Sequence, residues 1–266
     1  SFRGYALNFV ALDNPAHYHE VWYTADACHF LSVHLWNRAQ NRGCPADKPH
    51  MLIPPAINLE SYPEIQLKAP LTLGTSDQPL RILSVGRLEW KKGYEHALLA
   101  IKILMENGLH FQYNIIGDGD YSASLFFARH QMGLEDMVSL QGALSHSMVI
   151  DRLSEADIFL HPSLSEGFCN AVLEAQAMGI PVVCTNAGGL TENIQDGVTG
   201  FIVPRRDPHP MADKIALLAQ DGSLRQRMGQ AGRMRVEEHF QLGQQLDAFE
   251  TFYWNLLENA SREKHI

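Results

Sequence analysis

The sequence predicts an α/β fold built on a doubly wound, Rossmann-like parallel sheet. From about residue 80 onward, six short and continuously apolar β-rich runs alternate with amphipathic segments. Strands of this kind are buried on both faces, and the helices that connect them cover a parallel sheet. Glycines also lie where those elements should end, at Gly108, Gly133, Gly179 and Gly222. Right-handed crossovers then wind the units to both sides of the first strand.

The elements follow one another in regular order. The strands are expected at Arg81–Val85, Phe111–Ile116, Met137–Leu140, Asp157–Leu160, Pro181–Cys184 and Phe201–Val203. The helical patterns between and after them lie at about 94–107, 121–132, 146–154, 169–178, 189–195 and 209–220. Two further helical stretches, at about 223–239 and 243–260, close the chain.

The first 76 residues have a different organisation. They contain a strand and helix at about 27–30 and 33–42 and a short strand at Met51–Ile53. Residues 66–79 have the composition of a linker. Two strands cannot complete an independent α/β domain, so this part is interpreted as a partial N-terminal domain. The predicted division is 1–76 for that part with its linker, 77–240 for the Rossmann-like domain and 241–266 for a C-terminal helix.

Composition limits the functional classes. The 266 residues include 21 Lys and Arg against 30 Asp and Glu, for a net charge of −9, which argues against a nucleic-acid partner. No apolar run approaches the ~20 residues of a membrane span, and no charged-then-apolar leader opens the chain, so export is not expected. The four cysteines are far apart and predict free, mostly buried thiols. No paired metal-ligand spacing is present, so no metal is expected.

Two glycine-containing turns follow the first two strands of the predicted sheet. The segment from Gly86 to Gly93 carries Arg87 and Lys92 at a strand end, where open α/β sheets bind ligands, and these cations could hold a diphosphate. It lacks the P-loop pattern, and a solvated basic loop is an equally simple interpretation. The second turn, 117–120, has only two glycines of the dinucleotide-binding fingerprint, so a tight turn with an Asp cap is favoured.

The strongest candidate site follows the fourth strand, in the run H-P-S-L-S-E-G-F-C-N-A-V-L-E. Glu166 is expected in the loop, and Gly167 and Phe168 at a helix N-terminus, where free N–H groups favour an anion. Glu174 falls two turns into that helix. Carboxylates accept hydrogen bonds from sugar hydroxyls, so the arrangement fits a sugar nucleotide. His161 has no evident partner and is interpreted as structural.

The spacing of Glu166 and Glu174 within this run resembles the retaining GT-B glycosyltransferases of family 4. The resemblance covers about residues 80–240 and is carried by further motifs in order: Val85-Gly86-Arg87, Lys92-Gly93, Ile116-Gly117-Asp118-Gly119, Gly179-Ile180-Pro181-Val182-Val183, Gly188-Gly189-Leu190-Thr191-Glu192 and Asp196-Gly197-Val198-Thr199-Gly200-Phe201. At the start of the chain, Ser1 to Tyr5 is similar to a strand end of the family's N-terminal domain, with Arg3 in place of a histidine.

The resemblance implies a metal-independent enzyme that transfers sugar from an NDP-sugar to an acceptor hydroxyl with retention, in polysaccharide or glycolipid biosynthesis. It implies that Arg87 and Lys92 hold the diphosphate, that Glu174 holds the ribose and that Glu166 is the catalytic residue beside the donor sugar. Gly86, Gly167, Phe168 and Asn170 complete the implied donor site.

The resemblance also sets the expected partners. The NDP-sugar is a co-substrate, no further cofactor is needed, and the acceptor is a saccharide or a lipid-linked saccharide. The expected location is cytoplasmic, with room for peripheral contact at the inner membrane surface. Two alternatives stay open: a non-catalytic nucleotide-sugar-binding module or truncated pseudoenzyme, and, with less support, an NAD-dependent oxidoreductase.

Overall fold

A computed structural model of the chain describes residues 1–10, 12, 14, 16–63 and 70–263. Its strands are β1 Cys28–Phe30, β2 His50–Leu52, β3 Leu80–Val85, β4 Phe111–Ile116, β5 Val138–Leu140, β6 Ile158–His161, β7 Val182–Thr185 and β8 Gly200–Val203. Its α-helices are α1 His19–Thr24, α2 Val33–Gln40, α3 Tyr94–Glu106, α4 Ser122–Gln131, α5 His146–Glu155, α6 Asn170–Ala177, α7 Pro208–Gln220, α8 Gly222–His239 and α9 Leu242–Glu263.

The six strands β3 to β8 form one parallel sheet in the order β5-β4-β3-β6-β7-β8. This is the doubly wound Rossmann order, in which the chain starts at the centre, builds one half and returns to build the other. The predicted fold class is therefore confirmed. The direction of winding reverses between β3 and β6, so a crevice opens beyond the carboxyl ends of these two strands.

Most predicted elements are confirmed to within one or two residues, but one helix is not. The expected helix at 189–195 is a short 3-10 turn, Gly189–Glu192. In the N-terminal part, α1 and a π-helical turn at Ala6–Val10 were not predicted, because no apolar period marks either of them.

Alternation along the central strands builds the two layers of the core. Ile82 and Leu83 are both buried and point to opposite faces, as neighbours on a strand must. Ile82 packs in the cluster with α3 and α7, whereas Leu83 packs in the cluster with α5 and α6. Burying such a side chain contributes about 1.5–3 kcal/mol, so both helical layers are held firmly against the sheet. The four cysteines are free and buried, as expected.

The N-terminal part packs against the six-stranded sheet domain through polar contacts to α2. The parallel pair β1–β2 forms a small sheet of its own, beside a buried aromatic cluster that includes Trp22 and Phe30. The Glu192 carboxylate accepts hydrogen bonds from the N–H groups of Val33 (2.9 Å) and His34 (2.8 Å) at the start of α2. A carboxylate at this position satisfies free N–H groups and complements the helix dipole, which joins the two parts.

The C-terminal helix also contacts the N-terminal part. Gln245 on α9 donates to the backbone oxygen of Pro54 at 2.6 Å, and Ile57 and Gln241 form a short parallel bridge. Residues 66–69 of the expected linker lie outside the described residues, while Leu73 N–H bonds to Ala219 O at 2.8 Å. The domain boundaries stay predictions. Within the described part of the chain, no helix is long and apolar enough to cross a membrane.

A pair of glycine variants tests how the loop after β4 supports the loop after β3. Gly117 has a φ of +143°, and a Cβ there would lie 1.9 Å from the Gly86 oxygen. Gly133 has a φ of +66° with open space around it. Gly133→Ala should therefore cost only the conformational penalty, about 1–2 kcal/mol. Gly117→Ala should cost more than about 3 kcal/mol, because two backbones must separate. Chemical denaturation measures both, and equal losses would contradict the packing.

Candidate active site

Two loops at the carboxyl ends of β3 and β6 form the floor of the candidate site. The first runs from Gly86 to Gly93 and the second connects β6 to α6. The strands are neighbours, so their loops meet, and Leu164 N–H donates to Lys91 O at 2.7 Å between them. This is the position at which the winding of the sheet reverses, where open α/β sheets bind ligands.

A buried ion pair joins these loops. Lys92 Nζ lies 2.6 Å from Glu166 Oε1, and their side chains are 13% and 11% exposed. Burial alone would raise the pKa of Glu166, but the hydrogen bond from His161 and the positive charge of Lys92 outweigh it and lower that pKa to about 2. Burial likewise works against the charge of Lys92, and the Glu166 carboxylate keeps the lysine pKa above its ordinary value. Both groups are therefore charged at neutral pH.

The Glu166 carboxylate has two further partners. Ser163 Oγ donates to Glu166 Oε1 at 2.7 Å, and His161 Nε2 lies 3.0 Å from the same oxygen. Burial would lower the pKa of His161, but the neighbouring Cys169 sulfur and Glu166 carboxylate raise it to about 9. The interpretation of His161 as a residue without a partner was wrong: the end of β6 places its imidazole against the carboxylate.

The backbone between Glu166 and α6 is held by a distant asparagine. Asn193 Oδ1 accepts from Cys169 N–H at 3.1 Å, and Asn193 Nδ2 donates to Cys169 O at 2.9 Å. The helix itself begins at Asn170, so Gly167 and Phe168 precede it by two or three residues. Among the described residues, no backbone oxygen accepts from the Gly167 or Phe168 N–H. Gly167 is closely covered by Gly4, where a Cβ would lie 2.6 Å from Gly167 N.

Arg87 is the exposed cation of the site. Its Nη1 lies 2.7 Å from Glu89 Oε1, and its side chain is 72% exposed. A pair this exposed contributes little, so Arg87 can turn to a ligand at small cost. Glu89 also binds Lys91 at 2.6 Å, so its charge keeps a partner when Arg87 moves. Beneath them, the Tyr94 hydroxyl donates to Gly86 O at 3.2 Å and fixes the start of the loop.

A cleft of about 1780 Å³ opens over this floor. Six of the predicted site residues line it: Arg87, Lys92, Glu166, Gly167, Phe168 and Asn170. Its other walls come from the N-terminal part, including Arg3 and Tyr5, and from α9, including Phe249 and Tyr253. Single ligands usually occupy about 300–1,000 Å³, so this cleft has room for more than one small molecule.

Glu174 and Gly86 are not among the described residues that line the cleft. Glu174 shares a hydrogen bond with the Tyr62 hydroxyl, and burial raises the pKa of its carboxyl group. Gly86 lies beside the Lys92 side chain, since a Cβ there would lie 3.8 Å from Lys92 Nζ. The turn at 117–120 also contacts the loop that begins at Gly86. Its Asp118 side chain accepts a hydrogen bond from Gly119 N–H and none from the start of α4, so the expected Asp cap was wrong.

The ligand atoms of His161, Glu166 and Cys169 lie within 4.8 Å of one another and could in principle hold a metal ion. The fit is poor, because Glu166 Oε1 already accepts from three donors, one of them an ammonium group. A pKa of about 9 also keeps the His161 ring protonated at neutral pH, and a metal needs it neutral. We therefore assign these atoms to a hydrogen-bonded cluster. Metal independence of the site stays a prediction.

Comparisons with known proteins agree in family. The model of the family described as "Glycosyl transferases group 1" matches residues 71–235. The amylovoran biosynthesis glycosyltransferase AmsK of Erwinia amylovora is 37% identical over 208 residues, 74% of this chain and 48% of AmsK. The capsular polysaccharide biosynthesis glycosyltransferase CapM of Staphylococcus aureus is 31% identical over 182 residues, 66% of this chain and 46% of CapM. The chain thus spans about half the length of these relatives.

Among solved structures, Anabaena HepE in complex with UDP-glucose superposes with a TM-score of 0.73 at 18% identity. The match covers 90% of this chain and 64% of HepE. At this identity the likeness establishes the fold alone.

The Glu166 cluster predicts a pH-dependent contribution to stability. A carboxyl group whose pKa is depressed on folding stabilises the protein above its unfolded value, near 4.5, and loses that contribution as pH falls toward 2. The difference in unfolding free energy between wild type and Glu166→Gln should therefore have its full value near pH 5 and shrink below about pH 4. Denaturant titrations at several pH values measure it. A difference that does not change down to pH 3 would contradict the assigned charge state.

Proposed function

The chain belongs to the group 1 glycosyl transferases, and from this premise we propose that it forms the donor-binding half of a retaining NDP-sugar-dependent glycosyltransferase. The observation that carries the proposal is the buried pair of Lys92 and Glu166 in a large cleft at the reversal point of the sheet. A cation for phosphate and a carboxylate for sugar hydroxyls lie side by side there.

In the proposed reaction the nucleoside diphosphate is the leaving group. As the bond between the anomeric carbon and the phosphate oxygen breaks, negative charge develops on the diphosphate. Lys92, Arg87 and the free N–H groups before α6 would stabilise that charge, which is the electrostatic contribution that usually dominates catalysis. Glu166 would accept hydrogen bonds from the sugar. The acceptor hydroxyl would attack from the face that the diphosphate leaves and would give its proton to the departing phosphate oxygen, which gives retention.

The choice of donor and pathway rests on the relatives. AmsK and CapM are named for amylovoran and capsular polysaccharide biosynthesis, and the HepE structure contains UDP-glucose. We therefore propose a role in polysaccharide biosynthesis and choose UDP-glucose as the first donor to test. The NDP-sugar is a co-substrate in this proposal, and no further cofactor is required.

The acceptor is proposed to be a saccharide or a lipid-linked saccharide. The volume of the cleft supports this, because it exceeds what one small ligand occupies. A cytoplasmic location with peripheral contact at the membrane surface stays a prediction.

A non-catalytic nucleotide-sugar-binding module is the second candidate. It is favoured by one observation: the residues that carry the proposal, Lys92 and Glu166, both belong to the proposed donor side of the cleft. We expect the isolated chain to bind nucleotide without efficient sugar transfer. Calorimetry with UDP and UDP-glucose, together with an assay for UDP release in the presence of saccharide acceptors, distinguishes the candidates. Efficient turnover would exclude the non-catalytic module.

The phosphate-binding role of the two cations can be tested by removing each charge. Arg87→Ala or Lys92→Met should weaken UDP binding about ten- to hundredfold, the effect of one charge-assisted contact of about 1.5–3 kcal/mol. Uridine has no diphosphate, so its affinity should change little. Lys102→Ala, which removes a cation from an exposed pair on α3, is the matched control and should bind UDP like wild type. Equal losses of affinity for uridine and UDP would show that the substitutions act on folding and not on phosphate binding.

The two glutamates should differ in what they recognise. If Glu174 accepts from the ribose, Glu174→Gln weakens UDP and UDP-glucose alike, whereas Glu166→Gln weakens mainly UDP-glucose. Tyr62→Phe removes the hydroxyl partner of Glu174 and keeps the carboxylate, so UDP affinity should stay within about threefold of wild type. Calorimetric titration of the three variants provides the measurement. The assignment fails if Glu166→Gln weakens UDP as strongly as Glu174→Gln does.

A further inference from the structure

The Glu166 carboxylate is held through only one of its oxygens. Lys92 Nζ, Ser163 Oγ and His161 Nε2 all contact Oε1, at 2.6, 2.7 and 3.0 Å. Among the described residues, none donates a hydrogen bond to Oε2. Because Glu166 lines the cleft, its second oxygen is the one left for a ligand.

We infer that His161 is a positioning residue, which keeps Glu166 ionised and anchored through Oε1 while Lys92 turns to the diphosphate. The inference deepens the proposed function and rests on it for the identity of the ligand. His161 itself does not touch the donor in this arrangement; it acts through the carboxylate.

Once a diphosphate enters the cleft, Lys92 can interact with two anions, the diphosphate and the Glu166 carboxylate. In the free protein its ammonium group lies 2.6 Å from Glu166 Oε1, and any shift toward phosphate weakens that contact. A carboxylate that is 11% exposed cannot rely on water to replace the lost charge. Without a second cation it would take up a proton or turn away from the sugar. His161 supplies that cation, because its Nε2 lies 3.0 Å from the same oxygen.

The position of His161 suits this role better than that of Lys92. Its side chain is 2% exposed at the end of β6, and its ring stacks on Phe159 with an interplanar angle of 9°. Ser163 Oγ lies 3.0 Å from the same nitrogen that faces Glu166. A short ring on a central strand loses little freedom when it forms a hydrogen bond, whereas a lysine stem can swing between partners.

The charged and titratable groups around His161 come from four elements. Glu166 and Cys169 lie on the loop between β6 and α6, which follows His161 directly. Lys92 lies on the loop after β3, and Arg87 lies farther out on the same loop. Cys184 lies opposite His161 on β7. Burial raises the pKa of Tyr94 and of Cys184 well above the ordinary values. The negative charge of Glu166 adds to this effect at the Tyr94 hydroxyl on α3. The Cys169 sulfur and the Glu166 carboxylate are therefore the two groups that favour the protonated ring, and Glu166 is the one of them that lines the cleft.

The first test needs no sugar nucleotide. NMR of the full chain with labelled histidine follows the His161 ring as pH rises. In wild type the ring should titrate near 9, and in Glu166→Gln its pKa should be lower than in wild type, because the carboxylate is gone while burial and the Cys169 sulfur remain. With UDP bound, the wild-type ring should stay protonated at pH 7.5. A wild-type ring that is neutral at pH 7.5 overturns the inference, whether or not any nucleotide binds.

The second test separates positioning from packing. His161→Gln keeps an N–H donor near the Nε2 position, whereas His161→Leu keeps only bulk. At pH 7.5, His161→Leu should lose at least about tenfold in the preference for UDP-glucose over UDP, and His161→Gln should lose less than His161→Leu, because it keeps a hydrogen bond to Oε1 without the positive charge. As pH rises through 9, the wild-type preference should fall while that of His161→Gln stays flat. Cys184→Ala, a buried change on the neighbouring strand, is the control for packing and should keep the preference.

The remaining outcomes are also decisive. If UDP and UDP-glucose weaken equally in His161→Leu, His161→Gln and Cys184→Ala, the residue has a packing role and the inference is wrong. If His161→Leu does not fold, the pH profile of His161→Gln and the ring titration still test the positioning role of His161. If wild type binds neither nucleotide, the proposed function fails, while the ring titration judges the His161 contact by itself.

Discussion

The ion pair between Lys92 and Glu166 is the interaction on which the rest of the site depends. Removing two charges from water costs several kcal/mol for each ion, and mutual attraction offsets this only when further hydrogen bonds complete the shell. Ser163 and His161 supply those bonds. The pair can form because β3 and β6 are adjacent, in a register that sets Leu83 opposite Phe159 and ends both strands at the same edge.

A third loop fixes the carboxylate-bearing backbone. Glu166 N–H donates to Ala187 O at 3.2 Å, and Gly189 N–H donates to Glu166 O at 3.1 Å, so the segment after β7 pairs with the segment after β6. Gly188 has a φ of +62°, and a Cβ there would lie 2.8 Å from Glu166 O, so a side chain would push the strands of this bridge apart. The same segment continues to Glu192, which holds α2. A displacement of Glu166 would therefore also displace Glu192 and its hydrogen bonds to α2 in the N-terminal part.

The sequence predicts the features that local pattern determines. Strand and helix periods place Arg87, Lys92 and Glu166 at strand ends, and parallel topology brings strand ends together. It does not predict contacts that depend on which distant loops meet. Asn193 clamps Cys169 from 24 residues away, and His161 finds Glu166 only because the loop after β6 folds back. The one available signal for His161 was its position at a strand end five residues before Glu166. The partner of Glu174, Tyr62, lies in a part without a sequence period.

The charge of the whole chain is a poor guide to what its cleft attracts. A net charge of −9 opposes any broad attraction for phosphates. Within the cluster, however, Lys92 and the protonated ring of His161 both face the Glu166 carboxylate, and the Cys169 sulfur lies beside the ring. Because water is largely excluded, charged groups held here act more strongly on a nearby anion than surface charges do, and they need no reorganisation when negative charge develops there. Coulomb energy falls with distance and salt screens the outer carboxylates within about 8–10 Å, so a group inside the cleft acts on a ligand there more strongly than the outer carboxylates do.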